Sequence, residues 1–470
     1  MIEVLRDSWR RAAFVSVLGG YAALFAMAAD YRAKAALAAP LIVIPVVWWT
    51  IQGPRRWLGI FFFCALLLPP LPIAVGESGP HVALAVVVIG FLAGLLRFSD
   101  WRIPSGLLPR SMLVFAALLL ASVSLAALYS GAIVAAGSLA RVLLFAISVY
   151  VFCYTAYGPG FHAEGDDFRW IRGLFWLAIG SAVFACLDFY FHFPAPAGYE
   201  PQFVWLDSGV YRRAQGVFYE ASTLGNFCAF FLIMIAAGLL RPKRDRPVSL
   251  PVMLIGGSLL STALILSYSR SSILNIIAAI AALAYLNRER ISFRRLGAVA
   301  LLSVAGGAVA VYSVFPAFAQ TYWTRLWLSG ANFFEATNGV LSGRLETWSR
   351  LVGFLLERPW YALFGIGYKT LPYSDFIGQT AIADNMYLSL LVETGIIGLT
   401  AFLIFNAAVL RTALRAARAL DPRTAFFGTW IFCFWIGELF QMLSGDLFTY
   451  WRVLPVYFWV LALAARGLKA

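Results

Sequence analysis

Charge is scarce in this chain: 13% of its 470 residues are Asp, Glu, Lys or Arg, while 61% are hydrophobic. A soluble globular core is excluded, because too little polar surface remains to cover it. Histidine is nearly absent, with only His81, His162 and His192. Their separation in sequence argues against a zinc or di-iron centre, which needs several ligands together. Cys64, Cys153, Cys186, Cys228 and Cys433 all fall inside apolar runs. That placement argues against a disulfide framework or a cysteine-based metal site. No clear internal repeat is present, which weighs against the repeated halves common in secondary transporters.

What is abundant is apolar sequence. Mean hydropathy is +0.81, and runs of roughly 17 to 25 apolar residues, enough to cross about 30 Å of hydrocarbon as helix, recur from end to end. The expected fold is an all-α polytopic membrane protein with about fourteen transmembrane helices. The expected spans are 12–29, 35–51, 57–75, 80–96, 109–129, 133–157, 171–193, 217–240, 248–267, 271–287, 296–315, 385–410, 424–443 and 449–465. Residues 1–193 read as an N-terminal transmembrane scaffold, and 194–470 as a C-terminal catalytic region that includes a long loop, 316–383.

The net charge of +13 suggests nucleic acid only until the cations are placed. Roughly two-thirds of the Lys and Arg fall in loops that share one side if fourteen spans alternate, and the positive-inside rule makes that side cytoplasmic. Both termini are then cytoplasmic, and Arg141 lies within a span. The first apolar run follows RDSWRR without a small-residue cleavage pattern, so it reads as an uncleaved anchor.

Four segments on the opposite, external side carry unusual charge. In RRAQGVFYEAS, Arg212 and Arg213 precede a span, Gly216 permits close backbone approach, and Glu220 lies about one turn into the span. Arginine's rigid fork suits phosphate oxygens, while snorkelling to headgroups is the plainer alternative. Glu220 needs a polar cavity or a cation such as Arg213. In SYSRSS, serines 267, 269, 271 and 272 suit helix capping, and Arg270 sits in the turn.

The 316–383 loop, about 68 residues, is far longer than packing requires. Within it, SGRLETWSRLVGFLLERP forms an amphipathic helix with Leu345, Trp348, Val352 and Leu355 on one stripe, ended by Pro359. Arg344 in its first turn opposes the helix dipole, so a negative partner is expected. Arg325, Arg350, Arg358 and Lys369 in the same loop read mostly as solvated surface.

The fourth segment is ADNMYLSLLVETGIIGL. Asp384 is placed as a helix N-cap. Asn385, Ser389 and Glu393 follow at spacings of four, a polar stripe running about 12 Å inward that must face protein or water. Gly395 and Gly398 in GIIG allow a neighbouring helix to approach.

In this order, RAQGVFYEASTLG, LSYSRSSIL, SGRLETW followed by ERPWYALFGIG, and DNMYLSLLVETGIIGL resemble the O-antigen ligase and O-antigen polymerase (Wzy-type) family of bacterial envelope enzymes. The resemblance spans roughly residues 200–460. It implies a membrane-embedded glycosyltransferase of the C type, with a long helical periplasmic loop and neither a metal cofactor nor a nucleotide-sugar donor. The implied donor is a glycan on undecaprenyl pyrophosphate, used at the periplasmic face of the inner membrane, with a chain-length regulator as a further partner. Arg213 of the R-x-x-G pattern would hold the pyrophosphate, and Arg270 and Arg344 would be further cations around it.

Ligases of that family carry His-Asn where this chain has Asp384-Asn385, and the long loop has no histidine. The resemblance is therefore closer to the polymerases, with ligation and lipid-linked glycan transport as alternatives. The expected catalytic residues are Arg213, Asp384 and Glu220. Arg212, Arg270, Arg344, Asn385 and Glu393 are the expected substrate-binding residues, and His81 and His192 are outside candidates.

Overall fold

The computed structural model describes residues 44–53, 55–71, 73, 80–103, 106–158, 167–196, 198–206, 209–288 and 344–468, with scattered positions between 16 and 34 and between 309 and 327. The expected spans 12–29, 35–51 and 296–315, the N-terminal anchor, Arg325 and the start of the 316–383 loop lie wholly or largely outside the described residues.

Long apolar stretches with no competing polar backbone partner fold as helices, since only the helix satisfies its own N–H and C=O groups in lipid. The first half contains α1 (Arg56–Leu67), α2 (Val82–Leu95), α3 (Leu107–Tyr157) and α4 (Asp167–Phe191). A short antiparallel hairpin of β1 (Phe203–Leu206) and β2 (Gly209–Arg212) follows, pairing Phe203 with Arg212 and Leu206 with Gly209. Next come α5 (Ala221–Leu239), α6 (Leu250–Leu266) and α7 (Arg270–Leu286). The last group is α8 (Arg344–Glu357), α9 (Pro359–Phe364), α10 (Met386–Ala417), α11 (Pro422–Gln441) and α12 (Leu454–Gly467). Among the described residues, α3, α4, α5 and α10 are long and apolar enough to cross a membrane. The chain is a membrane protein.

Glycines interrupt two of the long helices. The expected spans 109–129 and 133–157 are the two arms of α3, which breaks at Gly131 with φ 85° and ψ 172°. The second break is at Gly395 in α10, with φ 67° and ψ −175°. There the backbone of α9 comes so close that a Cβ on Gly395 would stand 2.1 Å from the Leu363 carbonyl oxygen. The approach expected at GIIG is therefore made by backbone, at its first glycine. The free carbonyls before the break are taken by a strap that follows α9: the Ile366 amide donates to Val392 (3.1 Å) and the Gly367 amide to Glu393 (2.8 Å).

The strap is clamped from its other side by α3. The Tyr368 amide donates to Ser122 Oγ at 3.3 Å, and Ser130 Oγ bonds Ser374 Oγ at 2.8 Å. Tyr129 packs edge-on against Tyr361 with ring centroids 5.4 Å apart. Arg141, which the sequence leaves inside a span, donates to the Tyr373 hydroxyl at 3.2 Å. On α8 the buried face is Leu351, Phe354 and Leu355, whereas Leu345 and Val352 are exposed. The expected stripe is thus rotated, because the strap meets α8 from the Leu351 side.

Elsewhere aromatic rings fill the bundle. Phe115 contacts Phe145, Phe402, Phe405 and Phe448, joining α3 and α10 to the loop after α11. Such pairs contribute about 0.5–1.5 kcal/mol each beyond area burial. A polar knot lies among them. Asn226 of α5 and Asn275 of α7 each donate to both Glu438 Oε2 and Gln441 Oε1 of α11, at 2.5–3.0 Å. Tyr457 of α12 closes it by donating to Asn226 Oδ1 at 2.6 Å. Four helices are fixed in register by side chains with almost no exposure.

Substituting Gly395→Ala is expected to lower the thermal unfolding midpoint of the detergent-solubilised protein, since a positive φ alone costs a non-glycine residue about 1–3 kcal/mol. Tryptophan fluorescence during heating reads this, and an unchanged midpoint would contradict the backbone contact.

Candidate functional site

The R-x-x-G segment and the SYSRSS turn, far apart in sequence, form one surface. Ala214 donates its amide to Leu266 O at 2.9 Å, and Arg213 Nε donates to Ser267 O at 2.9 Å. Gly225 of α5 completes the fit: a Cβ there would lie 2.7 Å from Ser272 Oγ and 2.8 Å from Ser269 Cβ. Of the four serines, Ser269 caps α7 as expected, its Oγ accepting the Ser272 amide, and Ser267 bonds back into the last turn of α6, its Oγ donating to Leu264 O.

Around Arg213 the charges are close enough to act on one another. Burial lowers the Arg213 pKa from its ordinary value, Glu220 and Tyr450 support its charge, and Arg270 and Arg344 oppose it. The charges of Arg270 and Arg344 thus both reach Arg213. Glu220 precedes α5, accepts a hydrogen bond from Thr223 Oγ1 at 2.6 Å, and lies within the fields of Arg213, Asp446 and Lys369.

Arg212 is separated from this group. Its Nη2 pairs with Asp188 Oδ1 of α4 at 3.1 Å, with both side chains largely buried. It ties the hairpin to α4, which is neither headgroup snorkelling nor a shared role with Arg213. Gly216, with φ 55°, makes the close approach expected of it, again to α4: a Cβ would meet Ala185 Cβ at 2.9 Å.

Arg344 finds the negative partner that its place at the start of α8 demands. Its Nε bonds Asp384 Oδ2 at 3.1 Å, and Trp348 Nε1 donates to Ala383 O at 2.6 Å alongside. Asp384 is accordingly not the N-cap. Asn385 caps α10, its Oδ1 accepting the Leu388 amide at 3.1 Å, while Asp384 turns back to Arg344 with φ 46°. Glu393 does not stand on an open wall. It is 2% exposed and its Oε1 accepts the Leu371 amide at 3.2 Å, which pins the strap beneath it.

Several buried polar contacts around this surface escaped the sequence reading. Lys369, expected on the solvated surface, is 9% exposed and pairs with Asp446 in the loop between α11 and α12. Asp446 also caps the following turn, accepting the Phe448 amide at 3.0 Å. Gln215 is buried and holds its loop by donating to Glu200 O and Tyr219 O. Buried Arg452 donates to Ala65 O and Leu68 O of the first half and to Val217 O of the R-x-x-G loop. The Glu438 knot carried one legible signal, a carboxylate inside an apolar run.

His81 is fully engaged: Nδ1 accepts the Ala83 amide at 3.1 Å and Nε2 faces Leu68 O at 3.0 Å. With no free lone pair it is unsuited to act as a base. His192 is exposed at the end of α4. Among the described residues, the non-glycine positions with positive φ are His192, Tyr219, Tyr268, Lys369 and Asp384. Four of the five belong to the surface just built or adjoin its charged residues, which is where backbone strain tends to be retained for function.

Comparison with protein families gives one partial match. Residues 255–403 match the family model described as O-Antigen ligase. That stretch is similar to the O-antigen ligase family domain. The match takes in the SYSRSS turn, α8 with Arg344, the strap and the Asp384–Asn385 start of α10, but ends short of the R-x-x-G loop that docks onto it. A search of curated proteins finds no match.

The Arg344–Asp384 pair is half-exposed, so a double-mutant cycle with Arg344→Ala and Asp384→Asn is expected to give a stability coupling of about 0.2–1 kcal/mol. Helix capping by Asn385 is expected to survive Asp384→Asn, and a coupling near zero would dissociate the two side chains.

Proposed function

We propose that the chain is a polymerase of lipid-linked polysaccharide repeat units. It transfers a glycan from undecaprenyl pyrophosphate to a sugar hydroxyl of an acceptor lipid-linked glycan, at the periplasmic face of the inner membrane, with both termini cytoplasmic. The observation that carries this reading is the docking of the R-x-x-G loop, with Arg213, onto the SYSRSS turn that bears Arg270, in a chain of which residues 255–403 match an O-antigen ligase model.

In this mechanism the acceptor hydroxyl attacks the anomeric carbon as the bond to the diphosphate oxygen breaks. The leaving diphosphate is a weak base and needs charge stabilisation more than a proton. Preorganised cations in a site shielded from water supply it, because they need no reorganisation as the charge develops. Arg213 is the principal donor to the diphosphate, with Arg270 and Arg344 beside it. Glu220 orients Arg213 and the reacting groups. Asp384 sets the position of Arg344, while Arg212, Asn385 and Glu393 support the walls. A chain-length regulator is the expected protein partner.

Ligation to lipid A core or to protein is the second reading, favoured by the description of the family itself. Polymerisation is preferred because Asp384 stands where the ligases carry histidine, and here it serves as the counter-ion of Arg344. Product analysis separates the two. Purified protein given defined undecaprenyl-pyrophosphate-linked repeat units is expected to lengthen them, whereas glycan appearing only on core lipid or protein would establish a ligase. Relocation without lengthening would establish a transporter.

Arg213→Ala is expected to abolish polymer while the protein still inserts in the membrane at normal level. Wild-type polymer from that variant, read by gel analysis of the glycan, would remove Arg213 from the site.

A further inference from the structure

Of four carboxylates around the strap and the R-x-x-G loop, three already have duties. Asp384 is paired with Arg344. Glu393 is sealed beneath the strap and receives the Leu371 amide. Glu220 receives the Thr223 hydroxyl and balances Arg213, the cation assigned to the donor. Asp446 is the fourth. Its side chain is 18% exposed, so a ligand can reach it. Its partner Lys369 lies on the strap that also bonds Glu393, which joins Asp446 to this surface.

The mounting of Asp446 is unusually exact for a loop residue. Lys369 holds Oδ2 and the Phe448 amide holds Oδ1, yet a carboxylate offers about four lone-pair positions, so acceptor capacity remains on both oxygens. Lys369 reaches it only because the strap carries Lys369 in a left-handed conformation, φ 56°, just after Gly367 at φ 114°. Gly367 cannot be replaced cheaply, since a Cβ there would lie 2.5 Å from the Ala126 backbone of α3. The loop bearing Asp446 is fixed as well: the Met386 amide, at the start of α10, donates to Met442 O at 2.9 Å. Strap and loop thus converge on one ion pair from opposite sides.

We propose that Asp446 is the catalytic residue that takes the proton from the acceptor sugar hydroxyl, and that Lys369 is the positioning residue that holds its carboxylate. This rests on the glycan-transfer reading above. As the acceptor oxygen bonds to the anomeric carbon, its O–H bond breaks and the proton passes to a free lone pair of Asp446. The carbon–oxygen bond to the donor diphosphate breaks with its electron pair leaving on the diphosphate, beside Arg213. Solvent then removes the proton from Asp446 before the next turnover. Neither metal nor redox partner enters the balance.

The test uses the purified full chain in lipid nanodiscs with undecaprenyl-pyrophosphate-linked repeat units. Asp446→Asn, which retains an oxygen for the Phe448 amide, is expected to lower kcat by about 100-fold or more with little change in donor KM. Lys369→Met is expected to lower kcat as well, and Lys369→Arg to recover most of it, which a purely structural lysine would show in the unfolding midpoint rather than in kcat. If Asp446→Asn does not fold, Asp446→Ser, which also caps the turn, carries the same criterion. A folded Asp446 variant with wild-type kcat overturns the assignment. A wild-type protein that transfers no glycan at all overturns the underlying functional reading instead, so the two failures are distinguishable.

Discussion

At Gly395 the backbone of α10 leaves the helical path, and the carbonyls of Val392 and Glu393 lose the partners that a continuous helix would give them. In a bilayer such groups must be satisfied by protein. The amides of Ile366 and Gly367 do this, and most of the site follows from that exchange. The strap must lie against α10, so α9 must close on Gly395, and Lys369 is delivered to Asp446. The α8 helix then sits where Arg344 meets Asp384. The polar groups exposed by one break are what pull a long loop into a fixed wall.

The all-helical membrane fold was legible in the sequence because hydropathy reports directly on the solvent a segment will face. Helix positions were read well where loops are short, as at α6 and α7, whose ends meet around Tyr268. The β1–β2 hairpin was not foreseen, because its eight residues carry no strong alternation. The rotation of the apolar stripe on α8 was also hidden. Periodicity gives a helix an apolar face but does not say which neighbour will cover it, and here Leu351 rather than Leu345 meets the strap.

The charged residues divide along the same line. Arg213, Arg270 and Arg344 were legible since each was a cation with no local reason to be where it was, and the charges of Arg270 and Arg344 both bear on Arg213 in the fold. Asp384 was misread as a cap because the neighbouring Asn385 offers the same chemistry, and only the chain direction at φ 46° distinguishes them. Lys369 and Asp446 were invisible for a different reason. Each is ordinary in its own loop, and their meaning lies in a contact across 77 positions of sequence. The Glu438 knot belongs to an intermediate class. The rule that made Glu393 conspicuous applies equally to Glu438, but the identity of its partners, Asn226 and Asn275, depends on helix packing.

The left-handed residues beside the site carry an evolutionary consequence. Tyr219, Tyr268, Lys369 and Asp384 each hold a backbone shape that glycine or asparagine would adopt with less strain. A search for more stable variants would therefore be drawn to these four positions. It would loosen the conformations in which Asp384 meets Arg344 and Lys369 meets Asp446. On the proposed glycan-transfer reading, durability and turnover are set against each other at these few torsion angles.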